Sequence, residues 1–207
     1  MAKDAITTGL AQVLEGRHAA VWKRLRKRLS EPEFALDLGL PPHKQRERVT
    51  ELMGVLAGDP LVCIGFPTRF GGSDDTAAFV TCFQGLAFGD LSLLIKVGVQ
   101  HGLFGGALMQ LGTERHHEEF LRPALDFSLP GCFAMSEVGH GSDVAGVRTT
   151  AVHDVQTDEI VVHTPDPAAA KNWIGDAPRD GRAADVFCHP TPPGDGRGVA
   201  SAAGPRR

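Results

Sequence analysis

The residues with the most chemical content lie together at 131–143, as Gly131-Cys132-Phe133-Ala134-Met135-Ser136-Glu137-Val138-Gly139-His140-Gly141-Ser142-Asp143. A glycine-rich turn after a short apolar run invites phosphate-loop and nucleophile readings, and spacing tests each of them. The dinucleotide fingerprint GxGxxG needs glycine at 144, where Val144 stands. The Walker pattern fits Gly141 to Gly146 but continues with Val147 and Arg148 instead of Lys and Ser or Thr. The esterase elbow GxSxG needs glycine at 140, which is His140. What survives is a turn offering backbone amides and the hydroxyls of Ser136 and Ser142, groups that suit an anionic or carbonyl-bearing ligand.

Two other clusters carry less. His116-His117 followed by Glu118-Glu119 has the residue types of a metal site. Adjacent helix residues point apart, so one face holds at most a His/Glu pair, and no metal ligand is assigned. The basic run Lys23-Arg24-Leu25-Arg26-Lys27-Arg28 is interleaved with an apolar stripe and reads as the solvated face of a helix.

The elements that would position the turn change character along the chain. Leu10, Val13, Leu14, Val21, Leu25 and Leu29 recur at helical spacing up to Pro32. Pro41-Pro42 opens a second helix with the stripe Val49, Leu52, Met53 and Leu56, and Gly58 is its expected C′ residue. The apolar run 61–67 leads to a turn at 71–75, where Asp74 or Asp75 can cap a helix through Phe79, Phe83 and Phe88. Residues 91–111 are the most apolar stretch, but Lys96, Gln100 and His101 interrupt it, so a membrane span is not expected. Gly98, Gly102 and Gly106 fall on one face of that helix, which predicts close approach to a neighbouring helix. Thr113 caps a further helix, expected to stop at Pro123.

After Pro130 the period shortens. Residues 132–137 and 146–163 read as strands, the latter as a hairpin, with Trp173-Ile174 and Val186-Phe187 as further strand candidates. The last residues, 188–207, hold four Gly and four Pro and no Leu or Ile, so they are expected to be loose. The fold class is therefore α+β. An N-terminal all-helical bundle domain (1–130) precedes an incomplete antiparallel β domain (131–187), followed by an atypical Gly/Pro-rich tail (188–207).

Length and composition frame these readings. At 207 residues and 42% apolar, the chain can bury a real core. A net charge of −4 removes a chain-wide nucleic-acid footprint. Cys63, Cys82, Cys132 and Cys188 lie far apart, form no CxxC pair and read as reduced, buried thiols of an intracellular protein. The N-terminus lacks the layout of a signal peptide. Usage rich in Ala, Gly and Arg points to a GC-rich bacterial gene and hence to the cytoplasm, and the chain ends in Pro205-Arg206-Arg207 rather than Ser-Lys-Leu.

The run Ala134-Met135-Ser136-Glu137-Val138-Gly139-His140-Gly141-Ser142-Asp143-Val144 resembles the signature of the acyl-CoA oxidases, within the acyl-CoA dehydrogenase superfamily. The resemblance continues in Ala87-Phe88-Gly89-Asp90-Leu91-Ser92-Leu93-Leu94-Ile95-Lys96, Gly102-Leu103-Phe104-Gly105-Gly106 and Leu111-Gly112-Thr113-Glu114-Arg115-His116-His117. Thr149-Thr150-Ala151 and Lys171-Asn172-Trp173-Ile174-Gly175 extend it downstream. The histidine in Gly-His-Gly-Ser and the run ending in His116-His117 are similar to the oxidase branch more than to the dehydrogenases.

The resemblance implies a helical N-terminal domain, a middle β domain and a C-terminal helical part, with FAD between the last two and an acyl-CoA thioester against the flavin. In that family a glutamate removes the α-proton, the β-hydride passes to the flavin, and O2 reoxidises it to give hydrogen peroxide. Carried onto this chain, the resemblance assigns cofactor contacts to Ser136, Trp173 and Gly175. Ser136 keeps the hydroxyl of the family's threonine and loses its methyl. Trp173 matches the aromatic position beside the isoalloxazine. Gly175 matches the glycine at the reactive edge. Ser142 matches a position that contacts the CoA part of the substrate. The family's glutamate belongs to the C-terminal part, so no catalytic residue is assigned, Glu137 included, and whether this chain is itself an enzyme is left open. The expected partners are a fatty acyl-CoA and O2, without nucleic acid, and a full-length chain is expected to be a homo-oligomer. The residues alone also admit plainer roles: a strand end for Ser136, turns for Ser142 and Gly175, and core for Trp173. The alternatives are a dehydrogenase that passes electrons to a flavoprotein, and a non-catalytic fragment of a frameshifted or degenerate gene, since GC-rich DNA read out of frame yields the composition of the tail.

Overall fold

The structure is a computed structural model and describes residues 2–176, 179–191 and 200–205. The chain forms two compact units, Met1–Gly98 and Val99–Arg207. Residue 130, where helical spacing gives way to alternation, therefore marks a change of secondary structure inside the second unit.

The first unit is helical, with α1 (Ala2–Glu15), α2 (Ala19–Leu29), α3 (Pro42–Ala57), α4 (Pro60–Cys63), α5 (Thr76–Leu86) and α6 (Leu91–Val97). Pro42 starts α3 as expected, and Val49, Leu52, Met53 and Leu56 are all buried. Three aspartates set helix starts: Asp59, Asp75 and Asp90 accept from Leu61, Ala78 and Ser92 amides respectively. Gly58 ends α3 at φ −76°, so it is not the left-handed C′ residue anticipated. The long first stripe is also broken. Gly16 takes φ +52°, a 3-10 turn covers Gly16–His18, and the two halves fall on separate helices. Leu25 is buried, whereas Leu10, Val13 and Leu14 are exposed. The basic run on α2 lies on the outside of the helix, where Arg24 pairs with Asp59 and Arg26 with Glu15.

The glycines at 98, 102 and 106 do not form the predicted close-packed stripe. Gly98–Phe104 is a π-helix, whose extra residue per turn breaks the fourfold register, before α7 (Gly105–Leu111). A Cβ at Gly98 would press on Phe83 at 2.8 Å, whereas one at Gly102 would meet nothing within 4 Å. Leu91–Leu111 is long and apolar enough to cross a membrane by length and composition, a property that core helices share. The polar residues inside it are buried and engaged: Gln100 donates to the carbonyls of Ala124 and Leu129, and His101 Nε2 contacts the carbonyl of Leu125.

The second unit continues with α8 (Glu114–His116), a π-turn at His117–Leu121 and α9 (Arg122–Leu125). Pro123 does not stop this segment. It sits in the first turn of α9, after the π-turn, where its missing N–H costs nothing. The strands are β1 (Gly131–Ala134), β2 (Thr150–Asp154), β3 (Glu159–His163), β4 (Ala183–Thr191) and β5 (Ala200–Pro205). Their order is β1-β4-β2-β3, with β5 also on β4. The helical part followed by a small β part is the α+β class expected. The pairing is mixed instead of wholly antiparallel, because β4 runs parallel to both β1 and β2. The hairpin β2–β3 is antiparallel, as its alternation predicted. The expectation of a loose tail is corrected for its described residues. Cys188 to Thr191 complete β4, and Ala200–Pro205 pairs with it through the backbone, which needs no large apolar side chain. Residues 192–199 lie outside the described part.

The core of this unit holds Phe104, Leu108, Leu121, Leu125, Cys132 and Cys188. Gln100 Oε1 accepts from the Gly131 amide at 2.9 Å and so fixes the start of β1 against the helical segment. All four cysteines are buried, and none forms a disulfide among the described residues.

Candidate functional site

Strand β1 ends at Ala134, and the chain leaves the sheet through Met135, Ser136 and Glu137. Glu137 then forms antiparallel bridges with His140 and with Lys171. These bridges lay the segment at 171–175 against the end of β1, and the Asn172 amide donates to the Ser136 carbonyl at 3.0 Å. Ser136 is thus paired through the backbone with Asn172, the neighbour of Trp173, and Gly175 follows two residues further on.

The carboxylate of Glu137 holds this place together. The residue is 2% exposed. Its Oε1 accepts from the Thr149 amide at 2.9 Å, the Thr149 hydroxyl at 2.6 Å and Lys171 Nζ at 3.1 Å. Its Oε2 accepts from the Arg148 amide at 2.8 Å. Burial pushes its pKa up, but the donors from Thr149, Arg148 and Lys171 outweigh this and hold it down at about 2. Lys171 Nζ also donates to the carbonyls of Met135 and Phe187. One buried ion pair therefore ties the end of β1, the approach to β2, the 171–175 segment and the middle of β4. Sequence reading missed Glu137, Thr149 and Lys171 as a unit. Their only local signal is a charged residue in an otherwise apolar run, and the partners lie 12 and 34 positions away.

Ser136 is half-buried, and its hydroxyl has no protein partner among the described residues. Trp173 is neither core nor strand. It is 88% exposed and adopts φ +58°, a left-handed conformation costly for a bulky side chain, with its amide donating to Asn172 Oδ1 at 2.9 Å. Gly175 is exposed, and a Cβ there would meet Val99 only at 3.5 Å. An open hydroxyl, a bare indole on a strained backbone and a glycine with room beside it fit a flat aromatic ring system such as a flavin.

The glycine-rich turn is less available than its sequence promised. The amides of Val138, Gly139, His140, Val144 and Gly146 all donate within the protein, the first two to the carbonyls of Ala170 and Ala168. Asp143 also accepts from the Gly146 amide, and this closes a 3-10 turn at Val144–Gly146. Ser142 lies exposed on this turn. His116 and His117 serve their own helix. His116 Nδ1 closes a capping box with Thr113, and His117 Nε2 contacts the carbonyls of Leu108 and Met109. Among the described residues, no three His, Cys, Asp or Glu side chains converge.

No family profile matches the chain. It is 40% identical over 129 residues to the acyl-coenzyme A oxidase 2, peroxisomal, of Arabidopsis thaliana, a match covering 62% of this chain and 19% of that protein. Acyl-CoA oxidase 3 of Yarrowia lipolytica superposes on 95% of this chain and 28% of its own, with a TM-score of 0.78 and 29% identity. A glutaryl-CoA dehydrogenase from Mycobacterium smegmatis, solved in complex with FADH2, shares the fold, with a TM-score of 0.69 and 20% identity over 90% of this chain and 44% of its own. The chain thus spans about a fifth of the length of the curated relative it matches.

Proposed function

We propose that this chain, a partial homologue of the acyl-CoA oxidases, is the flavin-facing portion of an FAD-dependent enzyme that 2,3-dehydrogenates fatty acyl-CoA in β-oxidation. The observation that carries this reading is the clasp of 171–175 onto the end of β1, which holds the unpartnered Ser136 hydroxyl beside the strained, bare Trp173. FAD, when bound, would supply the acceptor for the hydride leaving the acyl chain, with O2 as the final acceptor and hydrogen peroxide as product. Ser136 would hydrogen-bond the ring edge, Trp173 would shield one side of it from water, and Gly175 would leave room at its reactive edge. Ser142 would meet the CoA part of the substrate from its exposed turn.

The base is a different matter. A group that takes the α-proton must have a carboxylate lone pair directed at substrate. Glu137 has its oxygens directed at Thr149, Arg148 and Lys171 and is held ionised deep inside the unit. We therefore read Glu137 as structural and not as the base. The oxidase reading is preferred over a dehydrogenase because the sequence relative reported above is named an oxidase, whereas the dehydrogenase shares the fold at 20% identity. The cytoplasmic expectation gains no support from that relative, whose name places it in peroxisomes. A homo-oligomer is the assembly proposed for the full-length enzyme.

Titration of the purified protein with FAD tests this reading. The expected result is quenching of flavin fluorescence and a shifted visible spectrum, with the affinity weakened at least tenfold by Ser136→Ala with Trp173→Ala. Absence of any flavin binding would sink the cofactor assignment.

A further inference from the structure

Strand β4 meets two neighbours in succession. It pairs with β1 from Ala183 to Val186 and with β2 from His189 to Thr191, and the two registers leave Phe187 and Cys188 between them. A carbonyl at such a junction has to find its donor outside the ladder. Lys171 Nζ donates to the Phe187 carbonyl. The same ammonium donates to the Met135 carbonyl and to Glu137 Oε1, each at 3.1 Å. An ammonium has three N–H donors, and here three acceptors from three segments take them. The Lys171 side chain is 10% exposed, so this arrangement lies inside the unit and does not depend on what covers its surface.

This cation stands at a crossing of the backbone that carries the proposed flavin contacts. Met135 immediately precedes Ser136. Lys171 is followed by Asn172, whose amide donates to the Ser136 carbonyl and whose Oδ1 accepts from the Trp173 amide. The cation thus reaches the chain beside Ser136 and close to Trp173, and ties both to β4. We propose that Lys171 is a positioning residue for flavin, an inference that rests on the cofactor reading above. It acts through Ser136 and Trp173 by fixing the backbone near each. Strained conformations persist only where the surroundings over-determine them, and the left-handed Trp173 lies two residues from this anchor. The role calls for an ammonium as such. Lysine presents three rotatable donors at one point, whereas arginine sets its donors in a planar fork that does not suit three acceptors converging from three segments.

Protein isotopically labelled at its tryptophan nitrogens reports the Trp173 amide by NMR without any cofactor, and Trp22→Phe identifies which signal is which. Lys171→Met and Lys171→Arg should each shift or split the Trp173 amide signal while far-UV circular dichroism shows the fold retained. Titration of the same two variants with FAD should show the affinity reduced by about tenfold or more. Leu121→Ala opens a cavity in the helical part of the same unit and controls for lost stability alone. It should leave both the Trp173 signal and the FAD affinity of the folded protein unchanged. A folded Lys171 variant with an unmoved Trp173 amide overturns the proposal whether or not flavin binds. Unchanged FAD affinity overturns it too, as does an equal loss of affinity in Leu121→Ala. Loss of the fold in both Lys171 variants would make the residue structural only and has the same result. Failure of the wild type to bind FAD strikes the cofactor reading instead, and the amide signal still decides whether Lys171 places Trp173.

Discussion

Lys171 Nζ lies 3.1 Å from Glu137 Oε1, with 10% of the one side chain and none of the other reachable by solvent. A carboxylate held at about 2, against an ordinary value of 4.5, stabilises the fold fully above the ordinary value and loses that contribution as pH falls through the window between the two. The difference corresponds to about 3 kcal/mol. Urea unfolding of the wild type at pH 7 and at pH 3 should therefore differ more than for Glu137→Gln, which should be destabilised at neutral pH. Equal pH dependence in the two proteins would show that the carboxylate is not the titrating group.

Removing the cation should cost as much as removing the anion. Lys171→Met leaves Glu137 ionised and buried with only the Thr149 and Arg148 donors, and a loss of about 3–5 kcal/mol is expected. The double variant with Glu137→Gln should be more stable than the sum of the two losses predicts, by at least about 1 kcal/mol, in a double-mutant cycle by chemical unfolding. Additive losses would mean that the pair is not coupled.

Trp173 stores strain that its exposure does nothing to offset. Trp173→Gly should raise the melting temperature or leave it unchanged, since relief of the left-handed penalty, about 1–2 kcal/mol, exceeds the entropic cost of glycine, about 0.5–1 kcal/mol. The same change should weaken FAD binding in a fluorescence titration. A protein that loses both stability and flavin would instead make the indole part of the fold.

Glycines in the second unit separate by what a methyl would meet. At Gly131 a Cβ would overlap the fully buried Phe104 ring, and Gly131→Ala should cost about 3 kcal/mol or more in urea unfolding. Gly102→Ala, facing open space in a helix, should be neutral or stabilising by up to about 1 kcal/mol. The thiols allow a quicker check. Burial pushes the Cys82 thiol up to about 12 and Cys188 above its ordinary value, so both should resist a disulfide reagent at pH 8 until the protein is unfolded.

Much of the framework was legible in the sequence where local chemistry decides it. The Pro42 start, the buried stripe on α3, the Asp75 cap and the β2–β3 hairpin all follow from neighbours within a few positions. The failures share a cause. Gly16 splits an apparently continuous stripe, the π segment at Gly98–Phe104 resets the register of the glycines, and Pro123 sits harmlessly after a π-turn, so each is a deviation from ideal period that composition does not announce. Ser136, Trp173 and Gly175 are proposed as cofactor contacts only because their motif resembles a family. The buried Glu137 carboxylate beside them was not legible, since nothing near it in sequence says that Thr149 and Lys171 will reach it.

The central position of β4 has a consequence for the order of events during synthesis. β1 at Gly131–Ala134 has no strand partner until Ala183 to Val186 have been made, whereas β2 and β3 can pair as soon as the turn between them exists. Glu137 likewise waits for Lys171. The hairpin is thus a local, early structure, the clasp can close once Lys171 exists, and the sheet is completed last, when β4 pairs with β1. A chain ending before residue 183 could make its hairpin but would leave its β1 edge open.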